Sequence, residues 1–208
     1  MTEHLVLADV PLPRAADDIR RYCGVPWSGG LPEVWAYHYF DAHPSVSNDL
    51  VTPPDVLATA ALHSGLTHRD LTYFAQQTDR LADQLRTLSS ELDLATATPA
   101  VLDAVASLGE LATDSGIGLA LLTKVFHRKR PRLVPIAERA FSELYAGRIG
   151  AQGVAAWPRL VRALSKDLSA AGNLRMLAKL QTDLQAELPV VPSRLRLADI
   201  AIWMEARR

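Results

Sequence analysis

From Thr52 onward, apolar residues recur at steps of three and four, and this spacing predicts a succession of helices with one buried face each. Thr52 before Pro53, with Asp55 at the third helical position, marks a helix start, so a helix is expected over 53–64, stopping at Gly65. Thr67 and Asp70 repeat the signal and open a longer helix. Its stripe is Leu71, Phe74, Leu81, Leu85, Leu88 and Leu92, with Thr78 in the gap. Pro99 starts another, with Val101, Leu102, Val105, Leu108 and Leu111 inward. Gly116 and Gly118 then bracket a tight turn before a helical stretch from Leu119 to about His127, which Pro131 and Pro135 end. Further helices are expected at 136–146, 156–171, 174–187 and 196–207. The first fifty residues differ: Pro11, Pro13, Pro26, Gly29 and Gly30 interrupt any periodicity, leaving one short helix near 15–22 and no strand alternation. The pattern describes an all-α protein of about eight helices, with an irregular, aromatic-rich segment over 1–50 and a helical domain over 51–208.

Composition narrows this picture. A chain of 208 residues that is 49% hydrophobic and 22% charged fits one ordinary soluble domain. No apolar run approaches the length that spans a bilayer, and the N-terminus lacks the pattern of a secretion signal, so a cytoplasmic protein without a membrane partner is expected. The single cysteine, Cys23, excludes an intrachain disulfide and a four-cysteine metal cluster, and no cofactor is expected. His38, Asp41 and His43 are metal-ligand types, but their spacing falls on no single helical face, so no metal is expected either. The net charge of −1 hides an asymmetry: residues 1–114 hold 6 Lys/Arg against 16 Asp/Glu, and residues 115–208 hold 16 against 7. The basic half either presents a surface to an anionic partner or pairs with the acidic half.

The segment SGIGLALLTKVFHRKRPRLVPIAER, Ser115–Arg139, concentrates this question. Two glycines free the backbone of a turn to approach another molecule, and the amides that open the next helix favour an anion such as phosphate. Lys124, Arg128, Lys129, Arg130 and Arg132 follow with no intervening acid, which suits a nucleic-acid backbone. Ile117, between the glycines, is expected to point into the core.

SGIGLALLTKV resembles the hairpin of helix-hairpin-helix proteins, which would occupy about 100–129. Together with RLVPIAER it resembles the helix-hairpin-helix DNA glycosylase superfamily, in which a catalytic aspartate follows the hairpin by some twenty residues at a helix start. Glu138 stands at that position. The resemblance implies a base-flipping enzyme in which the carboxylate supports breakage of an N-glycosidic bond. Two departures are evident: the lysine of bifunctional members is Ala120 here, and Glu138 is one methylene longer than aspartate. TKVFHRKRPRLVPI and RLRLADIAIWM also resemble a bacterial family of unknown function, from about Tyr39 onward. The leading expectation is thus a DNA- or other nucleic-acid-binding protein using Gly116, Gly118 and the basic run, with Glu138 as the hydrolytic carboxylate. The alternative is a scaffold reused as a small-molecule enzyme or as a non-catalytic interaction module. For a flat ligand, Trp27, Trp35, Tyr37, His38 and Tyr39 are candidate pocket residues. Trp203 is expected in the core, and Asp199 as an ion-pair partner of Arg196.

Overall fold

The computed structural model describes residues 4–30, 35–43, 45, 47–150 and 153–208. The architecture is all-α apart from one small hairpin: β1 (Leu5–Leu7) pairs antiparallel with β2 (Val10–Leu12). Ala8 and Asp9 turn it with φ of 52° and 64°. Leu5, Leu7 and Leu12 point into the core, and the hairpin is moored to the helices by side chains. The Val6 amide donates to Asn173 at 2.9 Å and the Ala8 amide to Asp167 at 2.8 Å. The sequence expectation of no strand is corrected here. Its alternation is only three residues long, and Ala-Asp is not a usual hairpin turn pair.

The helices are α1 (Ala15–Tyr22), α2 (Tyr37–Phe40), α3 (Pro53–Ala58), α4 (His68–Gln76), α5 (Thr78–Thr87), α6 (Pro99–Ala106), α7 (Leu108–Ser115), α8 (Leu119–Lys129), α9 (Arg139–Ile149), α10 (Trp157–Ser169), α11 (Ala171–Gln185) and α12 (Arg194–Glu205). The capping boxes at Thr52/Asp55 and Thr67/Asp70 form as their spacing predicts. Two expected long helices are each broken once. Between α4 and α5, the Thr78 hydroxyl donates back to the Ala75 carbonyl at 3.2 Å, the kind of bond that bends a helix. Between α6 and α7, the Ser107 hydroxyl donates to Ala104 at 2.8 Å. The glycine that closes α9 is Gly150, in the left-handed conformation, rather than Gly147.

α12 runs along α1 and packs on α9 and α11, while α10 lies against α6 and the hairpin strand β1. A continuous apolar core joins these elements around Trp157, Tyr145 and Phe126, all fully buried. Cys23 is buried too, and burial pushes its thiol up to about 12, so it is a packed, unreactive thiol. Among the described residues, no helix is long and apolar enough to cross a membrane.

The expected open basic face is not built. Lys124, Lys129 and Arg130 are each at most 5% exposed, and the Arg128 side chain is likewise 5% exposed. They are engaged with the acidic N-terminal half. Asp55, fully buried at the start of α3, takes both Lys129 and Arg128. Burial opposes ionisation of Asp55, but hydrogen bonds from Lys129 and from Thr52 and Ser45 outweigh it and hold its carboxyl below the ordinary range. Breaking a buried pair leaves unpaired charge, at a cost of about 3–5 kcal/mol. Asp55→Ala is therefore expected to destabilise the fold by about that amount in urea denaturation, whereas removing Glu143, the partner of exposed Arg139, is expected to leave stability essentially unchanged.

Candidate active site

The cations of α8 and its C-terminal extension fall into two groups. Arg128, Lys129 and Arg130 clamp loops. Arg128 donates to the carbonyls of Phe40 at 2.5 Å and His43 at 2.8 Å; Lys129 donates to the Ser47 carbonyl at 2.9 Å. Arg130 donates to the carbonyls of Asn48 at 2.6 Å and Leu85 at 2.8 Å, and pairs with Asp49 at 2.7 Å. Every side-chain nitrogen in this group has a hydrogen-bond partner. Arg132, nearly half exposed, reaches Asp93 alone among the described residues, at 3.4 Å.

Lys124, one turn earlier on α8, serves a different place. Its ammonium donates to the Leu62 carbonyl at 2.8 Å and the Ser64 hydroxyl at 3.2 Å, and pairs with Glu138 at 2.8 Å. Glu138 is the N-cap residue of α9, yet its side chain makes no cap hydrogen bond; it turns to Lys124 instead. The carboxylate is thus not consumed by helix capping, the ordinary structural use for an acid at that position.

The glycine hairpin lies on the same side. Gly116 closes α7 at φ 66°, a left-handed conformation that favours glycine, with the end of the flexible Arg69 side chain lying over it. Gly118 sits at φ −59°, which any residue adopts, and faces open space. Ile117 is buried, as its place between the glycines predicts.

Glu138 stands where two spaces meet. An outer cleft of about 490 Å³ is lined by His63, Ala120, Lys124, Glu138, Trp203 and Arg207, among others. Behind it lies an inner pocket of about 20 Å³, bounded by Tyr22, Glu138, Phe141, Asp199 and Trp203. Asp199, expected from the sequence as an ion-pair partner of Arg196, lines this inner pocket. Its expected partner, Arg196, is taken by Asp41 at 2.7 Å and by the Tyr22 hydroxyl at 2.6 Å. One Asp199 carboxyl oxygen is left buried with no hydrogen-bond partner. Burial pushes this carboxyl up to about 8, opposed in part by the Arg196 charge and the Ile136 backbone, so Asp199 is a neutral acid at neutral pH.

His127 lies 4.0 Å from that oxygen. Its Nδ1 donates to the Val134 carbonyl at 2.7 Å, and burial lowers its pKa to about 4. At neutral pH the pair is therefore a neutral imidazole beside a neutral acid and not an ion pair.

The aromatic segment contributes less than its composition suggests. Tyr37 is buried and donates to the Val190 carbonyl at 2.8 Å, His38 sits edge-on to it, and Tyr39 is exposed. Trp27 and Trp35 carry Arg21 on their faces, and Trp35 meets Trp203 edge-to-face at 5.6 Å. None of these five lines the Glu138 spaces; Tyr22 and Trp203 do. Trp203, expected in the core, is half-buried and packs against it, with His63 stacked on it at 6.2 Å and Arg207 over it at 4.2 Å. Among the described residues, no group of three or more His, Cys, Asp or Glu side chains is placed to hold a metal.

Fold and cleft together define an all-α protein with two carboxyl groups of unlike environment in one pocket. Residues 15–206 match a family of unknown function, DUF6308, and the chain belongs to that family. The match takes in α1 as well as the region from Tyr39 onward where the resemblance was expected. No curated protein and no solved structure gives a match.

The two shifted groups give stability a defined pH profile. The folded value of Asp199, about 8, lies above its unfolded value of about 3.9, so its contribution is fully present below about pH 4 and is lost as pH rises toward 8. The folded value of His127, about 4, lies below its unfolded value of about 6.5; its contribution is present above pH 6.5 and lost as pH falls toward 4. The two oppose each other between these limits, and above pH 6.5 Asp199 acts alone. Denaturant titrations are expected to show stability declining from about pH 6.5 to 8, with that decline absent in Asp199→Asn. An unchanged slope in the variant would show that Asp199 is ionised throughout.

Proposed function

We propose that the protein is an acid–base hydrolase acting on the N-glycosidic bond of a small molecule, on a helix-hairpin-helix-like scaffold reused for that purpose. Glu138 is the catalytic carboxylate and Asp199 the proton donor. The observation that carries the reading is the unpartnered, buried oxygen of Asp199 in the pocket that Glu138 lines. A buried acid held neutral, beside a second carboxyl group paired with a lysine, supplies a proton donor and a separate carboxylate for this chemistry.

The sugar rests in the outer cleft against Trp203, and the leaving nitrogen reaches Asp199 through the inner pocket. Asp199 gives its proton to that nitrogen as the bond to the sugar carbon breaks. The Glu138 carboxylate supports the cationic sugar and takes a proton from the water that adds to it, giving a free sugar hydroxyl. Proton exchange with solvent then restores both groups. Lys124, held by Leu62, Ser64 and Glu138, fixes the Glu138 carboxylate in place. The inner pocket, about 20 Å³, admits a water-sized group, so a bulkier leaving group reaches Asp199 only when Trp203, which lines both spaces, is displaced.

The test is release of reducing sugar from a panel of nucleosides and other small N-glycosides. Glu138→Gln is expected to lower turnover by about 100-fold or more, and the wild-type rate is expected to fall as pH rises through about 8, where Asp199 loses its proton. Full activity in Glu138→Gln, or no hydrolysis of any panel member by the wild type, would overturn the proposal.

A second reading, nucleic-acid binding, is favoured by one feature: the open hairpin at Gly118 with Arg69 beside Gly116, where the guanidinium donates to the Ser115 carbonyl at 3.4 Å. On this reading phosphate meets the hairpin and Arg69, since Arg128, Lys129 and Arg130 are spent inside the fold. Duplex binding across a salt series is expected to weaken steeply with salt, with a shallower slope in Arg69→Gln. Absence of binding at low salt removes this reading.

A further inference from the structure

A second cleft is lined by Arg196 and His127 but not by Asp199. It encloses about 520 Å³ between the residues after α2, the turn at Pro131 and Arg132, and the approach to α12. Its lining includes four guanidinium groups, Arg128, Arg132, Arg194 and Arg196, against two carboxylates, Asp41 and Asp93. Two of the four are committed: Arg128 to loop carbonyls and Asp55, and Arg196 to Asp41 and Tyr22.

Arg132 and Arg194 differ. They converge on a single oxygen of Asp93, at 3.4 and 3.1 Å, with 48% and 32% of their side chains exposed. Asp93 itself is pinned from behind, its other oxygen accepting the Ala95 amide at 3.0 Å. Each guanidinium presents several donors in a planar fork, and one carboxylate oxygen uses few of them. The surplus donors and the surplus positive charge face the cleft, where a phosphoryl group, with three acceptor oxygens, matches both forks. Phe40, Val190 and Val191 supply an apolar wall beside them.

We propose that this cleft binds a phosphorylated small molecule, its phosphoryl group held by Arg132 and Arg194 and its body laid against the apolar wall. The site is separate from the Glu138 cleft, and binding there does not depend on the hydrolytic reading.

The test is calorimetric titration of the full chain with pyrophosphate at constant ionic strength. Saturable binding is expected for the wild type, weakened about tenfold or more in Arg132→Gln and in Arg194→Gln, since each loses a charge-assisted contact. Arg162→Gln, which removes an exposed arginine paired with Asp103 elsewhere on the surface, is expected to bind like the wild type, as is Glu138→Gln. Thermal melts without ligand establish that each variant is folded; if Arg194→Gln is not, the more exposed Arg132→Gln carries the result. No heat of binding in the wild type, unchanged affinity in the folded Arg132 and Arg194 variants, or equal weakening in Arg162→Gln would overturn the proposal.

Discussion

Three consecutive cations, Arg128, Lys129 and Arg130, are taken out of water at the end of α8, and much of the surrounding structure exists to receive them. Removing such groups from solvent costs several kcal/mol each unless charges and dipoles replace the lost hydration. Here the replacement comes from Asp55 and Asp49 and from the carbonyls of Phe40, His43, Ser47, Asn48, Leu85 and Leu88. Chain on both sides of the long gap in sequence is thereby drawn to one point. The acidic N-terminal half and the basic C-terminal half are complementary because they meet there.

That constraint fixes the carrier of the functional groups. α8 holds its cations at one end, Lys124 one turn before them, and the glycine hairpin at its start. With its C-terminal end clamped, Lys124 and His127 come to set positions relative to α9 and α12, which bring Glu138 and Asp199. Arg196 stands between the two clefts and is satisfied by Asp41 and Tyr22, so Asp199 faces the inner pocket beside a strong cation that it does not directly bind. A buried acid kept neutral in this way is costly to maintain in a fold that had no use for it.

Much of this was legible in the sequence, and the limits have physical causes. Capping residues located the starts of α3, α4 and α6, and Ile117 between two glycines announced the hairpin. The kinks at Gln77 and Ser107 were not legible, because a hydroxyl bonding back to its own helix leaves the apolar stripe unchanged. The run from Lys124 to Arg132 showed its charge but not its direction. A cation whose acid lies 73 to 81 residues away, as for Arg128, Lys129 and Arg130, looks like one beside water until the chain folds. Asp199 was hidden for a related reason: Arg196 is its near neighbour in sequence, but the guanidinium chose Asp41, 155 positions away.

The acceptors in the clamp are mostly backbone carbonyls, and a carbonyl is the same whatever side chain accompanies it. Phe40, His43, Ser47 and Asn48 are therefore held by a part of themselves that substitution cannot remove. The three donors have no such freedom. A substitution of Phe40 or His43 leaves the carbonyl that Arg128 holds in place and changes the surface that these residues present to the cleft they line. A tether of this kind lets a protein change what a pocket accepts without renegotiating how the pocket is held together.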